Sequence, residues 1–147
     1  DVYKRQGQGE NMRLLLCRRS PLKRLWGGVL ADSCAGHPLP GEGVAAATAR
    51  RINEELGIMR EPDELKHLGH VVYREDHGDG RCECEWCEVY LARVKPGELH
   101  INQEEISEVR RVALSELDGY LQGHPEQLAP WLREALSDPS IRTALAM

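Results

Sequence analysis

Short apolar runs and amphipathic stretches alternate along the 147 residues of the chain. The run 13–17, "RLLLC", is typical of a buried strand. The stretch 43–58, "GVAAATARRINEELGI", has the period of a helix, and Gly57 is a suitable residue to end it. The apolar positions that share one face of this helix are Ala45, Ala49, Ile52 and Leu56. This first half therefore predicts a strand, a loop and a helix.

The second half predicts a strand pair and then further elements. Residues 67–75 and 82–94 have the β-branched and aromatic content of strands, and the turn residues 76–80 separate them. A strand at 108–113 and a short helix led by Ser115 follow. An amphipathic stripe predicts the last helix: Leu128, Trp131, Leu132, Ala135 and Leu136. Strands with interspersed helices, without a linker or repeat, indicate one α+β or α/β sandwich domain.

Composition and charge narrow the class of protein. The chain is 41% hydrophobic and 29% charged, and it contains no run of the ~18 apolar residues that a membrane span requires. Five cysteines without a secretory leader favour reduced thiols, so we expect a soluble, cytoplasmic protein. The net charge of -5 disfavours nucleic acid, whereas the basic segment 18–24 favours a small phosphate-bearing ligand.

One spacing is more specific than the rest. Gly36 is followed after five residues by Glu42, after seven more by Arg50, and then by residues 51–58, "RINEELGI". A loop and a helix with acidic groups in its last turn suit Mg²⁺, although a solvated helix face is the alternative. The pattern resembles the Nudix box and matches every fixed position except Arg51, where Nudix hydrolases carry a metal-binding Glu. That replacement disfavours diphosphate hydrolysis.

The flanking segments resemble type 1 isopentenyl-diphosphate Δ-isomerase, from about Met12 to Trp131. Four motifs carry the resemblance: residues 17–42, 71–94, 100–109 and 128–132. It implies an α+β fold, a Nudix-type α/β/α sandwich with a mixed sheet. It also implies interconversion of isopentenyl and dimethylallyl diphosphate, in isoprenoid precursor biosynthesis, by metal-assisted protonation and deprotonation.

The resemblance also implies the ligands of the site. The metal ligands that it implies are His37, Glu83, Glu85 and Glu55, with Mg²⁺ as one cofactor and Mn²⁺ or Zn²⁺ in the His/Glu site. The residues that it implies for binding the substrate are Arg19, Lys23, Arg51 and Trp131. Spacing agrees for Glu83 and Glu85, which alternate to one side of a strand. The alternatives are a turn histidine, a polar strand face, a solvated basic loop and, for Trp131, a core anchor.

The implied catalytic residues are Glu85, Tyr73 and a cysteine two residues before His37, but Ala35 occupies that position. The neighbouring thiol is Cys34, and one step along extended backbone reverses the direction of a side chain. Cys34 is therefore either a displaced acid/base or a buried bystander. Leu30 likewise stands where the family has a tryptophan. A zinc site at Cys82, Cys84 and Cys87 is disfavoured because alternation separates Cys87 from the other two.

The first six residues, "DVYKRQ", correspond to one translated frame of a transposase sequencing adapter. We expect residues 1–6 to be an artefact and residues 7–147 to be an N-terminally truncated Nudix domain. The expected ligand is a prenyl diphosphate, with no nucleic acid or membrane partner, and the chain is a monomer or weak dimer. The rival interpretations are a hydrolase of the isomerase-like branch, a relative that binds without turnover, and a fragment left with an unpaired strand.

Overall fold

A mixed six-stranded sheet forms the centre of the computed structural model, which describes residues 2–6, 13–76, 78–95 and 97–146. The strands are β1 (Val2–Gln6), β2 (Arg13–Arg19), β3 (Leu30–Ala31), β4 (Lys66–Asp76), β5 (Cys82–Arg93) and β6 (Ile106–Val112). The order is β3-β2-β1-β5-β4, and β6 pairs with β2. The β1–β5 pair is parallel and the other pairs are antiparallel. The predicted pairing of residues 67–75 with residues 82–94 is thus confirmed as the β4–β5 hairpin.

Helices cover both faces of this sheet. They are α1 (Val44–Leu56), α2 (Leu114–Gly123), α3 (Pro130–Ser137) and α4 (Pro139–Ala146). Alternation along β2 divides the core, because Leu15 and Cys17 pack on the side of α1 whereas Leu14 and Leu16 pack on the side of α2, α3 and α4. The result is the predicted α/β/α sandwich. No described helix has the combined length and apolarity that a membrane crossing would require.

The chain start and the last helix differ from expectation in detail. Residues 2–6 form β1 between β2 and β5, and β2 is paired along both edges; the adapter origin of the segment stays a prediction. The predicted helix with the stripe at 128–136 corresponds to α3, but its position as the last helix is wrong, since α4 follows it. Proline cannot continue a helix, and Asp138 Oδ1 caps the new start by accepting from the Ile141 amide at 3.0 Å. Leu128 precedes α3 and forms an isolated bridge with Leu30.

Candidate functional site

The Gly36–Ile58 motif fixes a loop against the start of α1. Glu42 accepts from the Leu39 amide at 3.0 Å and from Arg50 Nε and Nη2 at 2.9 Å each. Arg50 also donates to Glu54 at 3.0 Å and to the His37 carbonyl at 3.2 Å. The Arg50 hydrogen bonds lower the pKa of Glu42 to about 2. We call Glu42, Arg50 and Glu54 the outer clamp, because they hold the His37 loop to the outside of the helix.

Two glycines of the motif are required by close approach. A Cβ at Gly36 would lie 2.7 Å from Arg51 Nε, so only glycine lets the Arg51 side chain cross this loop. Gly57 ends α1 at a φ of 68°, and a Cβ there would lie 2.6 Å from His100 Cβ. The predicted helix stop is confirmed, and both glycines serve the geometry around the helix.

One cavity of about 480 Å³ brings the predicted residues together. Loop 34–39, α1, β5 and α3 contribute to its walls. Its lining includes Arg19, Lys23, Cys34, His37, Arg51, Tyr73, Glu83, Glu85 and Trp131. Among the predicted site residues only Glu55 lies outside this lining, and it borders an adjoining cavity of about 20 Å³. The large cavity has the size of a small-molecule site.

The predicted metal ligands are only partly gathered. His37 Nε2 lies 2.7 Å from Glu85 Oε1. Glu83 instead accepts from Trp26 Nε1 at 2.9 Å, a contact that the sequence did not predict. Over the described ranges, no cluster of three or more His, Cys, Asp or Glu side chains is placed to hold a metal ion. The structure therefore joins His37 to Glu85 and directs Glu83 towards Trp26.

Aromatic side chains form the apolar end of the cavity. Tyr73 pairs with Glu85 across the β4–β5 hairpin, and its ring lies 5.7 Å from the ring of Trp131. Burial, with the nearby Glu85 and Glu83 carboxylates, raises the pKa of Tyr73 far above its usual range, so its phenol stays protonated. Trp131 is 4% exposed and lines the cavity, and it is therefore both a core anchor and a wall residue. Arg19 Cζ lies 5.1 Å from the centre of its ring.

Two cations of the cavity wall, Lys23 and Arg51, pair with carboxylates that lie outside its lining. Lys23 Nζ lies 2.5 Å from Glu105 Oε2, Arg51 pairs with Glu55, and Arg51 Nη2 lies 3.8 Å from Glu105. We call Lys23, Arg51, Glu55 and Glu105 the inner cluster. Burial raises the pKa of Glu55 to about 7, against the opposing effect of Arg51. The sequence reasoning missed Glu105, since its partner Lys23 is 82 residues away.

The cysteine region has a divided environment. Cys34 is 3% exposed and belongs to the core on the α1 side with Cys17 and Ile52, although it borders both cavities. Ala35 packs against the core on the opposite side of the sheet and also borders both cavities. Leu30 is fully buried in that second core. Cys87 lines the large cavity, whereas Cys82 and Cys84 are exposed, as alternation predicts.

Comparisons with known proteins agree with this architecture. Residues 1–137 match the family model of the NUDIX domain. The isopentenyl-diphosphate Delta-isomerase of Corynebacterium diphtheriae is 35% identical over 147 residues, which cover 97% of this chain and 78% of that protein. The protein of the same name from Paenarthrobacter aurescens is 38% identical over 134 residues, which cover 91% and 71%.

A solved structure shows the same fold. The MutT protein from Methanosarcina mazei Go1 superposes with a TM-score of 0.67 at 23% identity, over 97% of this chain and 88% of that one. The predicted fold class is thereby confirmed. From the family match and the relatives together, the chain belongs to the Nudix family and, within it, to the isopentenyl-diphosphate Δ-isomerases, as its motifs predicted.

Proposed function

We propose that this chain isomerises isopentenyl diphosphate to dimethylallyl diphosphate. Relatives named for that activity match it at 34% to 39% identity over most of its length. The observation that carries the proposal is one cavity lined both by three cations, which we call its cationic end, and by the carboxylate, phenol and indole of Glu85, Tyr73 and Trp131. Arg19 lies where the two sets meet, beside the Trp131 ring. A substrate with a diphosphate head and a five-carbon alkene calls for both sets.

The cationic end suits the diphosphate. Arg19, Lys23 and Arg51 reach the cavity from β2, the following loop and α1. Guanidinium groups donate two hydrogen bonds in the geometry that phosphate oxygens accept, and an ammonium adds a point charge. The head group would therefore replace Glu105 as the partner of Lys23 and share Arg51 with Glu55.

The opposite end suits the alkene. Isomerisation adds a proton to one alkene carbon and removes one from another, so it needs an acid and a base on opposite sides of the hydrocarbon. We assign the proton exchange on one side to Glu85, which lines the cavity, and a donor role to the phenol of its strand partner Tyr73. The Trp131 ring faces the cationic intermediate and stabilises it electrostatically, while its burial keeps water away.

The donor chemistry of the site fits a divalent cation. His37 and Glu85 supply an imidazole nitrogen and a carboxylate oxygen 2.7 Å apart, and Glu83, two residues before Glu85, lies on the same side of β5. These residues would hold Mn²⁺ or Zn²⁺, and Glu55 beside Arg51 would hold Mg²⁺ with the head group. Such ions supply positive charge that neutralises the diphosphate and orients the carboxylates.

The proposal also covers the setting of the protein. Three strand cysteines are free thiols, in keeping with a reducing cytoplasm: Cys82, Cys84 and Cys87. The proposed partner is a single prenyl diphosphate molecule, bound by a chain that acts as a monomer or weak dimer. Size-exclusion chromatography with light scattering, at several protein concentrations, tests the oligomeric state.

Nuclear magnetic resonance tests the activity. The chain is incubated with isopentenyl diphosphate, Mg²⁺ and Mn²⁺, and the phosphorus signals and alkene protons are followed together. Conversion to the allylic isomer with the diphosphate intact is the expected result. Glu85→Gln should abolish it, whereas Glu108→Gln should not, because Glu108 is a strand glutamate held by Arg18 and Arg110 outside the cavity lining.

Ala35 favours a second candidate function. A Nudix hydrolase of the isomerase-like branch needs no thiol at this position, and Arg51 is the feature that opposes it. Release of inorganic phosphate in the same experiment would favour the hydrolase and contradict the isomerase. Binding of the substrate without any product would indicate a non-catalytic relative.

A further inference from the structure

The site as described has a base without an evident opposing acid. Glu85 and Tyr73 lie on β5 and β4, and the proton on the other side of the alkene would come from position 35. Ala35 has no proton to give, and Cys34, although it borders both cavities, is 3% exposed and packs with Cys17 and Ile52 in the core. Another proton donor near Ala35 would complete the chemistry.

Asp32 lies near that position. It directly follows β3 and is 2% exposed. It borders the cavity of about 20 Å³ together with Cys34 and Ala35. This volume has room for one water molecule, and its polar lining supplies the hydrogen-bond partners that a buried water would need. The small cavity therefore joins the Asp32 carboxyl group to the wall of the large one.

The two carboxyl oxygens of Asp32 differ. Oδ1 accepts from Trp131 Nε1 at 3.1 Å, whereas Oδ2 is buried and has no hydrogen-bond partner among the residues that the structure describes. A bare, charged oxygen in the interior is unfavourable, and a proton on Oδ2 removes the charge and creates a donor. The geometry thus favours a carboxylic acid whose O–H points to a neighbour such as a water.

The charged surroundings keep this acid within reach of neutral pH. Burial raises the pKa of Asp32 to about 6, although the Trp131 hydrogen bond and the Arg19 charge oppose the rise. The titratable groups around it include Arg19 from β2, Glu55 from α1 and Cys87 from β5, and Lys23, Cys34 and Glu105 share the lining of the small cavity. Arg19 stabilises the carboxylate that remains after the proton leaves.

We propose that Asp32 replaces the missing thiol as the proton store, exchanging a proton with the substrate alkene through a water molecule in the small cavity beside Ala35. In the forward direction the carboxyl O–H breaks, a C–H bond forms at the terminal alkene carbon, and the double bond shifts. The proton leaving the allylic carbon passes to Glu85. Asp32 and Glu85 then re-equilibrate through solvent, so that no oxidant or reductant is needed.

This inference rests on the proposed isomerase function, and Asp32→Asn tests it. The amide keeps the size of the side chain and an oxygen for Trp131 Nε1, but it cannot exchange the proton. We expect kcat to fall by roughly 100-fold or more, while KM stays within about twofold. The decline in activity that the unsubstituted chain shows as pH rises should be absent from the variant. Unchanged kcat and pH profile in Asp32→Asn would overturn the inference alone. Absence of turnover in the unsubstituted chain would overturn the isomerase function with it.

Two further variants separate proton transfer from the positioning of Trp131. Trp131→Phe removes the hydrogen bond to Asp32 but keeps an aromatic ring. It should lower kcat, while the decline in activity with rising pH should remain. Ala35→Cys restores a thiol. Added to Asp32→Asn, it should raise kcat at least about tenfold over that of Asp32→Asn alone, which is within the rate effect of one acid–base group. No recovery in a folded double variant would contradict the assignment.

Thermal unfolding gives a readout independent of catalysis. Because the folded-state pKa of Asp32 is raised from about 4 to about 6, its stabilising effect is greatest below pH 4 and is lost as pH rises through 6. Asn does not titrate at these pH values. The melting temperature of Asp32→Asn minus that of the unsubstituted chain should therefore be several degrees more positive at pH 8 than at pH 4. A difference independent of pH would show that Asp32 is ionised throughout and would overturn the inference.

Discussion

The outer clamp and the inner cluster each take one arginine and one glutamate from α1, yet the two pairs differ in exposure and in their further partners. Glu42, Arg50 and Glu54 form a network whose hydrogen bonds all remain within the loop and helix. Arg51 and Glu55 lie on the next face of α1, where Glu55 is 7% exposed and Arg51 lines the cavity. Both arginines border the cavity and donate to Glu54. Arg50 also holds Glu42 and the His37 carbonyl, whereas Arg51 also reaches the buried Glu55, so we expect Arg50 mainly to hold the loop and Arg51 mainly to meet a ligand.

The difference explains where the Nudix pattern is kept and where it changes. Gly36, Glu42, Arg50 and Gly57 determine the loop and helix geometry, and all four match the pattern. The departure, Arg51, faces the cavity, where a change alters chemistry without disturbing the fold. Fold and reaction are thus separable within one motif.

The sharpest test of this division is Arg51→Gln against Arg50→Gln. Loss of the Arg51 guanidinium should raise the Kd of inorganic pyrophosphate roughly 10- to 100-fold, because a charged hydrogen bond contributes about 1.5–3 kcal/mol. Arg50→Gln should change that Kd less and lower the melting temperature more. Isothermal titration calorimetry and thermal unfolding of both variants measure the two effects, and equal changes in both would remove the distinction.

A smaller effect is expected at Glu105. Burial alone would raise the pKa of this carboxyl, but its hydrogen bond to Lys23 and the Arg51 charge hold the pKa below the usual range. It is therefore an anion that competes with the diphosphate for both cations. Glu105→Gln should lower the Kd of pyrophosphate by up to about tenfold, the equivalent of one modest charge interaction. Glu104→Gln, an exposed neighbour, is the matched control, and an equal change there would indicate only a net-charge effect.

The smallest expected effect is on the outer clamp. Since the folded-state pKa of Glu42 is lowered to about 2, its contribution is complete above its ordinary pKa and is lost as pH falls towards 2. Glu42→Gln should lower the melting temperature by a few degrees at pH 7 and by less at pH 3. A penalty that grows at low pH would contradict the assignment of the clamp.

Local pattern was sufficient for most of the elements, whereas the family resemblance was needed to name most residues of the candidate site. The period of residues 43–58 predicted α1, and alternation in β5 placed Glu83 and Glu85 on the cavity side and Cys84 outside. The division between α3 and α4 was not predicted, because the apolar stripe that indicated the last helix ends at Leu136 and gave no sign of a further helix from Pro139. β1 was set aside with the suspected adapter residues and so was not predicted as a strand.

Contacts between distant residues could not be predicted from periodicity. Trp26 and Glu83 are 57 residues apart, Lys23 and Glu105 are 82 apart, and Asp32 and Trp131 are 99 apart. Each pair depends on how β2, β5 and α3 meet in the fold. The residues with the most specific environments, Glu105 and Asp32, were found only when those elements were assembled.

One doubly labelled reaction tests the central claim, that this cavity moves protons on carbon and leaves the diphosphate intact. Isopentenyl diphosphate is incubated with the chain and divalent metal in D₂O that contains heavy oxygen, and the products are analysed by mass spectrometry. Deuterium in the carbon skeleton, with no heavy oxygen in the phosphates, is the predicted result. Heavy oxygen in released phosphate, with no deuterium on carbon, would contradict it.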